Sequence, residues 1–278
     1  NTSIESSIIY QLRIPRVLMN VMVGAGLAVS GTALQGIFQN PLVSPDVISV
    51  SSGSAFGAVL GILFFGMSSY VVILAMLFGI LSVGMTYILS RVREESSTLS
   101  LVLSGMVMTS LFASLISLIK YTADPYDKLP AITYWLMGSF SNVSYSGLKI
   151  AGIPIGLGIT ILYFLRWRIN ILSLGDDEVR SLGINPSTTR AIIIILVTLI
   201  TATCVTITGI IGWVGLLIPH ICRMFIGVDN TKLIPSSCVV GAIFMLVIDG
   251  IARTATAAEI PIGILTSLVG APFFIIIF

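Results

Sequence analysis

Long intervals that are almost free of charged residues constrain this chain more than any other feature of its sequence. Nine such intervals follow one another, at 17–40, 47–66, 70–90, 98–119, 146–165, 191–210, 212–225, 233–251 and 261–278. A bilayer core about 30 Å thick needs about 20 mostly apolar residues per helix. Most of these intervals are therefore long enough to cross a membrane, whereas 212–225 is too short to do so alone as a regular helix.

The composition excludes a soluble domain. Hydrophobic residues make up 56% of the 278 positions and charged residues only 9%, with a mean hydropathy of +1.06. A soluble domain carries about 25% charged residues. Fourteen Lys and Arg against twelve Asp and Glu give a net charge of +2, which indicates no nucleic-acid partner. The fold class predicted from these numbers is an all-α polytopic membrane protein embedded in a lipid bilayer.

The sequence offers no arrangement of catalytic or metal-ligating residues. It contains a single histidine, and its three cysteines, Cys204, Cys222 and Cys238, lie in apolar runs without the spacing of a zinc site. A phosphate-binding G-x-x-x-x-G-K-[ST] motif does not occur. We therefore predict that the chain is not an enzyme and binds no metal or cofactor itself. If ATP drives transport, another subunit must bind the nucleotide.

Glycines recur at a spacing that favours close packing of helices. Gly53, Gly57 and Gly61 are four residues apart, and Gly152 with Gly156 repeats that spacing. Small residues at this spacing let helix backbones approach closely inside a membrane. We interpret both sets as packing surfaces.

Proline, glycine and polar residues interrupt the apolar pattern at two places. Non-helical backbone at membrane depth is tolerated only where it is buried in protein or lines a wet cavity. The two interruptions therefore predict broken helices beside a translocation pathway. The candidate pathway residues are Asn40, Pro41, Pro45, Gly215, Pro219 and His220.

The two interruptions also suggest an internal repeat. A shift of 174 residues brings Arg190 onto Arg16 and Pro219 onto Pro45. An odd number of spans separates the two segments, so a repeat would have inverted topology, as in many transporters.

Ionisable residues within or beside the spans provide an alternative function. Asp46, His220 and Asp249 could carry protons in an ion-coupled secondary transporter. However, Asp249 and Arg253 are four residues apart on one predicted helix and can pair with each other. Asp46 follows a proline and can cap the next helix.

The polar segment at 172–187 is predicted to form a short helix. Asp176, Asp177 and Glu178 provide an acidic first turn, and Gly183 followed by Pro186 indicates its end. Its apolar side chains cannot all be buried within the segment itself. Two interpretations are open: a docking site for a soluble partner, or a solvated connecting loop.

Several long motifs together resemble one family. They are Leu12-Arg-Ile-Pro-Arg-Val-Leu, Leu34-Gln-Gly, Asn40-Pro-Leu, Gly212-Trp-Val-Gly-Leu-Leu-Ile-Pro-His-Ile-Cys-Arg and Glu259-Ile-Pro-Ile-Gly. In this order they resemble the FecCD-type permeases. These permeases are the membrane subunits of binding-protein-dependent ABC importers for ferric siderophores, haem and cobalamin, and for some oxyanions. The resemblance covers essentially the whole chain.

The resemblance implies an architecture and a set of partners. It implies a single permease domain over 1–278 with the ten-helix fold of type II importers. Nine of the ten helices are visible, so the first is expected before residue 1. The implied partners are a second permease subunit, most simply an identical one, two cytoplasmic ATP-binding subunits that hold ATP and Mg²⁺, and a periplasmic or lipid-anchored binding protein. The implied location is the cytoplasmic (inner) membrane of a prokaryote.

The resemblance also implies roles for individual residues. The segment 172–187 matches the coupling helices that sit in a groove of the ATPase. The coupling residues implied are Leu174, Gly175, Asp176, Glu178, Val179, Arg180, Leu182 and Gly183. Arg13 and Arg16, with Arg253 as a third, match the arginines that receive acidic residues of the binding protein. Selectivity would reside mainly in that binding protein.

Overall fold

A computed structural model describes residue 6 and residues 8–91, 98–256 and 258–277. Eleven α-helices make up most of this part of the chain. They are α1 (Ile14–Phe38), α2 (Val50–Phe65), α3 (Ser69–Arg91), α4 (Thr98–Thr122), α5 (Lys128–Leu136), α6 (Tyr145–Ile171), α7 (Asp176–Ser181), α8 (Pro186–Thr208), α9 (Val214–Ile226), α10 (Asn230–Thr254) and α11 (Ile262–Ile277). A π-helical turn, Ile9–Arg13, precedes α1, and two short 3-10 segments occur at Pro45–Ile48 and Leu172–Leu174.

Side-chain caps fix where several helices begin. Ser144 accepts a hydrogen bond from the backbone N–H of Gly147 at the start of α6. Asn185 does the same for Thr188 at the start of α8, where Pro186 occupies the first turn. These caps satisfy backbone donors that have no partner inside the helix.

Six helices in the described residues are long and apolar enough to cross a membrane. These are Ile9–Phe38, Ser69–Ser90, Leu99–Thr122, Tyr145–Leu174, Pro186–Thr208 and Asn230–Thr254. Three shorter apolar helices, α2, α9 and α11, correspond to the remaining predicted intervals. The structure therefore confirms an all-α, multi-pass membrane protein.

Two details of the sequence-based prediction are wrong. Helix α6 continues to Ile171, beyond the predicted interval 146–165, and includes Arg166 and Arg168. Helix α5 lies within a segment for which no helix was predicted.

Helix α1 lies at the centre of the bundle, against α6, α8, α9 and α10. Its packing depends on glycine contacts. A Cβ atom added to Gly24 would lie 2.2 Å from the carbonyl oxygen of Gly241, and one added to Gly31 would lie 1.8 Å from that of Gly215. Because such distances are far below van der Waals contact, α1 can approach α9 and α10 this closely only where both sides lack side chains.

The predicted glycine packing holds for one of the two sets. Added Cβ atoms on Gly53, Gly57 and Gly61 would lie 2.1–2.7 Å from atoms of α3. The expectation for α6 is wrong at Gly156, where nothing lies within 4 Å of an added Cβ. Gly156 is on the surface of this chain, whereas Gly152 is half-buried, and an added Cβ there would lie 3.5 Å from Met22.

Long-range contacts define two ends of the bundle. At one, called here the Arg16 end, Arg16 of α1 pairs with Asp249 near the end of α10. At the opposite end, the hairpin end, Gln39 donates to the carbonyl oxygen of Leu172 after α6. Helix α1 therefore runs from the Arg16 end to the hairpin end, and α10 runs in the reverse direction.

The first predicted helix break is present, but the second is displaced: Gly215, Pro219 and His220 lie inside α9, and the break lies just before them. Residues 39–49 separate α1 from α2 with only a short 3-10 turn, and residues 209–213 separate α8 from α9 without helix. The first break packs against the start of α9 inside the bundle, where an added Cβ on Gly215 would lie 2.9 Å from the Cδ atom of Pro45. Helices α1 and α8 lead into these breaks in opposite directions, as an inverted repeat requires.

Candidate functional site

The segment 172–185, called here the hairpin, projects from the end of the bundle between α6 and α8. It consists of the 3-10 turn Leu172–Leu174, the helix α7 and a turn before Pro186. Gly175 and Gly183 bound α7 with φ values of +109° and +76°. Glycine adopts positive φ without the steric cost that a Cβ brings. The predicted short helix is confirmed.

One side of the hairpin is buried in the bundle and the other is exposed. Leu172 and Val179 are fully buried in the main hydrophobic core. Leu174 and Leu182 are 58% and 57% exposed, and Glu178 is also exposed. Of the predicted coupling residues, Val179 thus anchors α7 to its own chain, and the two leucines present an apolar surface outward.

A salt bridge ties α7 to α8. The two guanidinium nitrogens Nη1 and Nη2 of Arg190 donate to the carboxylate of Asp176 at 3.1 and 2.7 Å. The hydrogen bond from Arg190, with the positive charge of Arg190 and then of Arg180, holds the pKa of Asp176 below its usual value. Asp176 therefore stays ionised and paired at neutral pH.

A second tie joins the base of the hairpin to α10. The side-chain amide of Asn170 donates to Asp229 at 2.6 Å, and its oxygen accepts the backbone N–H of Asn230 at 2.8 Å. Hydrogen bonds from Thr231 and from Asn170 lower the pKa of Asp229. Together with the bond from Gln39 to Leu172, these contacts attach the hairpin to α1, α8 and α10.

Gln35 connects the break after α1 to helix α9 in the interior of the chain. It is 3% exposed, and its amide nitrogen donates to the carbonyl oxygens of Val43 at 3.1 Å and Gly215 at 3.4 Å. Its amide oxygen accepts a hydrogen bond from Nη2 of Arg223 at 2.7 Å. The group formed by Gln35, Val43, Gly215 and Arg223 is called here the junction.

Sequence reasoning did not find the junction. The available signal was a polar residue within an otherwise apolar span, since buried polar groups in membranes must find partners. The partner of Gln35, Arg223, is 188 residues away in the sequence.

The predicted pathway residues differ in burial. Pro45, Gly215 and Pro219 are buried in packing contacts within the chain, and Asn40 and Pro41 are exposed at the hairpin end. His220 lies against the rings of Phe273 and Phe274 of α11, with centroid distances of 6.2 and 5.4 Å. Their role in a pathway stays a prediction.

At the Arg16 end, four charged side chains form the arginine cluster: Arg16, Asp249, Arg253 and Glu259. Arg16 donates to Asp249 at 2.8 to 3.2 Å and to Glu259 at 2.8 and 2.9 Å. The predicted pair of Arg253 with Asp249 is confirmed at 3.2 Å. Arg16, 233 residues from Asp249, is the partner that sequence reasoning missed.

Arg13 lies one turn before Arg16 and is exposed. Of the three arginines predicted to dock a binding protein, Arg13 alone has no ion pair among the described residues. Within the same described ranges, no group of three or more His, Cys, Asp or Glu side chains is arranged to hold a metal ion.

Known transport proteins are similar to this chain over nearly its full length. The chain is 45% identical over 272 residues to the molybdate import system permease protein MolB of Haemophilus influenzae, covering 98% of this chain and 80% of that protein. It is 36% identical over 274 residues to the hemin transport system permease protein HmuU of Yersinia pestis, covering 95% and 80%.

A solved structure has the same architecture. A transporter assigned to the metal-chelate ABC type, in an inward-facing conformation, matches with a TM-score of 0.93 and 44% identity, over 99% of this chain and 88% of that one. The model of the FecCD transport family matches residues 1–278. The chain therefore belongs to the FecCD transport family.

Proposed function

We propose that this chain is the permease subunit of an ATP-driven importer. It moves a metal chelate, such as an iron siderophore, haem or cobalamin, or a related oxyanion, across the cytoplasmic membrane of a prokaryote. The relatives named for molybdate and hemin support this range of substrates. The observation that carries the proposal is the hairpin, which exposes an apolar surface while its base is bonded to three other helices.

The hairpin end faces the cytoplasm in this proposal. Two ATP-binding subunits, which hold ATP and Mg²⁺, contact Leu174 and Leu182 on the exposed side of the hairpin. Their movement reaches the bundle through buried Val179 and through the bonds of Asp176 and Asn170. Because these contacts hold the hairpin to α1, α8 and α10, it moves these helices with it, and access alternates between the two sides.

The Arg16 end faces outward and receives the substrate-binding protein. Arg13 is free to pair with an acidic side chain of that protein, and Arg253 is only partly engaged by Asp249. A second permease subunit, most simply an identical copy, completes the pathway. Symmetric pairing of this kind is the commonest way for a chain to form a closed assembly.

Pairing within the arginine cluster argues against an ion-coupled transporter. Asp249 is 2% exposed and is bonded to both Arg16 and Arg253. Both oxygens of this carboxylate are already bonded to guanidinium groups of the same chain, so it is committed to holding α1 against α10.

Leu182→Asp tests the hairpin as the site of ATPase binding. The permease is purified with its ATP-binding subunit, and ATP-dependent uptake is measured in liposomes. We expect the variant to lose both the ATP-binding subunit and uptake, because a charge replaces an exposed apolar side chain. Ser187→Asp is the matched control, since it adds the same charge at an exposed position in the first turn of α8. Undiminished uptake by Leu182→Asp, or uptake that a protonophore abolishes, would refute the proposal.

A separate variant tests docking at the Arg16 end. Arg13→Glu reverses the charge of an exposed side chain that has no partner to lose within the described residues. We expect it to weaken binding of the substrate-binding protein while the ATP-binding subunit still copurifies. Unchanged binding would remove Arg13 from the docking surface.

A further inference from the structure

The two carboxylates bound to Arg16 differ in accessibility. Asp249 is 2% exposed and approaches Arg16 from within the bundle, whereas Glu259 is 38% exposed. Arg16 itself is only 13% exposed. An acidic side chain arriving from outside can therefore reach the guanidinium group of Arg16 only at the position that Glu259 occupies.

Glu259 lies on the segment that connects α10 to α11. Directly after it, the N–H of Ile260 donates to the carbonyl oxygen of Ala252 at 3.1 Å, and the N–H of Ile262 donates to that of Gly138 at 2.9 Å. Glu259 is the side chain through which this segment, as far as the structure describes it, is bonded to α1. Losing that bond leaves the segment attached to the other helices by backbone contacts.

We propose that Glu259 is an internal competitor for Arg16, occupying the position that an acidic side chain of the binding protein takes on docking. This inference rests on the proposed function, since it needs a partner that docks at the Arg16 end. Asp249 keeps its bonds throughout, so the exchange replaces one exposed carboxylate by another. Docking thereby releases Glu259 from α1.

The exchange links docking to α11. The connecting segment leads directly into α11, where Phe274 lies against Trp213 just before α9 and Phe273 lies against His220 of α9. Releasing Glu259 removes a charged bond between α1 and the segment before α11. An acidic side chain of the binding protein thus pairs with Arg16, and the start of α11 is freed in the same step.

The competition is tested with full-length permease assembled with its ATP-binding subunit in lipid nanodiscs. The probe is the substrate-binding protein encoded with this permease, immobilised, and its dissociation constant is measured at several salt concentrations. Removing an exposed competing ion pair, as in Glu259→Gln, should tighten binding by about two- to fivefold. The gain should shrink as salt screens the contact.

Asp127→Asn is the matched control. It removes one negative charge from an exposed residue just before α5, whose ion pair is with Lys128 and not with Arg16. A general electrostatic effect would tighten binding equally in both variants. Equal affinities of Glu259→Gln and Asp127→Asn would overturn the inference, as would weaker binding by Glu259→Gln.

A measurement on the wild-type protein covers the case in which Glu259→Gln fails to fold. Hydrogen exchange of the Ile260 amide should become faster in the docked complex, because the segment is released. Unchanged or slower exchange would overturn the competition. If the wild-type assembly does not bind the probe at any salt concentration, the proposed docking function fails instead.

Discussion

Removing the hydrogen bonds of Gln35 in the junction should lower the stability of the bundle by an amount that follows from the number and type of bonds lost. In Gln35→Leu the side-chain volume is nearly kept, but Arg223 loses its acceptor at 2.7 Å and Val43 loses its donor at 3.1 Å. A hydrogen bond from a charged donor contributes about 1.5–3 kcal/mol, and a neutral one about 0.5–1.5 kcal/mol. We expect Gln35→Leu to lower the free energy of unfolding by about 3 kcal/mol, or about 6–12 °C in Tm.

A double-mutant cycle with Arg223→Leu isolates the charged bond. Interhelical hydrogen bonds in membranes average about 0.6 kcal/mol in such cycles. Because the donor in the junction is charged and the acceptor is 3% exposed, the coupling should be about 1.5–3 kcal/mol. The double variant should therefore be more stable than the sum of the two single effects predicts.

The chain carries its own reporters for this assay. Cys204 and Cys222 are buried free thiols, so a thiol-reactive dye labels them when the bundle unfolds. Tm is read for the wild type, both single variants and the double variant in the same detergent. A coupling at or below about 0.6 kcal/mol would refute the reasoning, since Arg223 would then behave as an ordinary membrane hydrogen-bond donor.

Three further outcomes follow from the geometry. Gly31→Ala should lower the free energy of unfolding by about 1–3 kcal/mol or more, because the added methyl group overpacks the contact with Gly215. Gly156→Ala, with open space around it, should not lower Tm. Because the pKa of Asp176 is lowered in the folded state, its salt bridge to Arg190 should hold α7 against α8 fully above about pH 4. The salt bridge should be lost as the pH falls through the lowered pKa. Hydrogen exchange of α7, measured against pH in the wild type and in Arg190→Gln, checks this. Asn170→Ala should retain the ATP-binding subunit but reduce uptake per ATP hydrolysed, measured in liposomes.

Features that depend on nearby residues were predictable from the sequence. Apolar length located the helices, and the acidic turn at Asp176 with the glycines of the hairpin located α7. The pair of Asp249 with Arg253 followed from a spacing of four residues. Each of these signals lies within one helix or one turn, so the periodicity and spacing of nearby residues are enough to predict it.

Features that depend on distant residues were not predictable. Neither the bond of Arg16 to Asp249 nor that of Arg223 to Gln35 has a local signal, because the partners are about 190 to 230 residues apart. The end of α6 was misplaced for a different, local reason. Arg166 marks the end of the apolar run, but its guanidinium lies over the ring of Tyr163 at 3.8 Å and the helix continues past it.

The placement of these distant bonds suggests how the bundle can move without coming apart. Glycine contacts and the junction fix α1 to α9 and α10 along most of its length. The hairpin and its base are bonded to α1 and α10 of this group, and also to α8. The segment before α11, by contrast, is joined to α1 through Glu259, whose carboxylate is 38% exposed and is therefore partly screened by solvent. Force on the hairpin should therefore move α1, α9 and α10 as one body, and α11 should be the element that shifts against it.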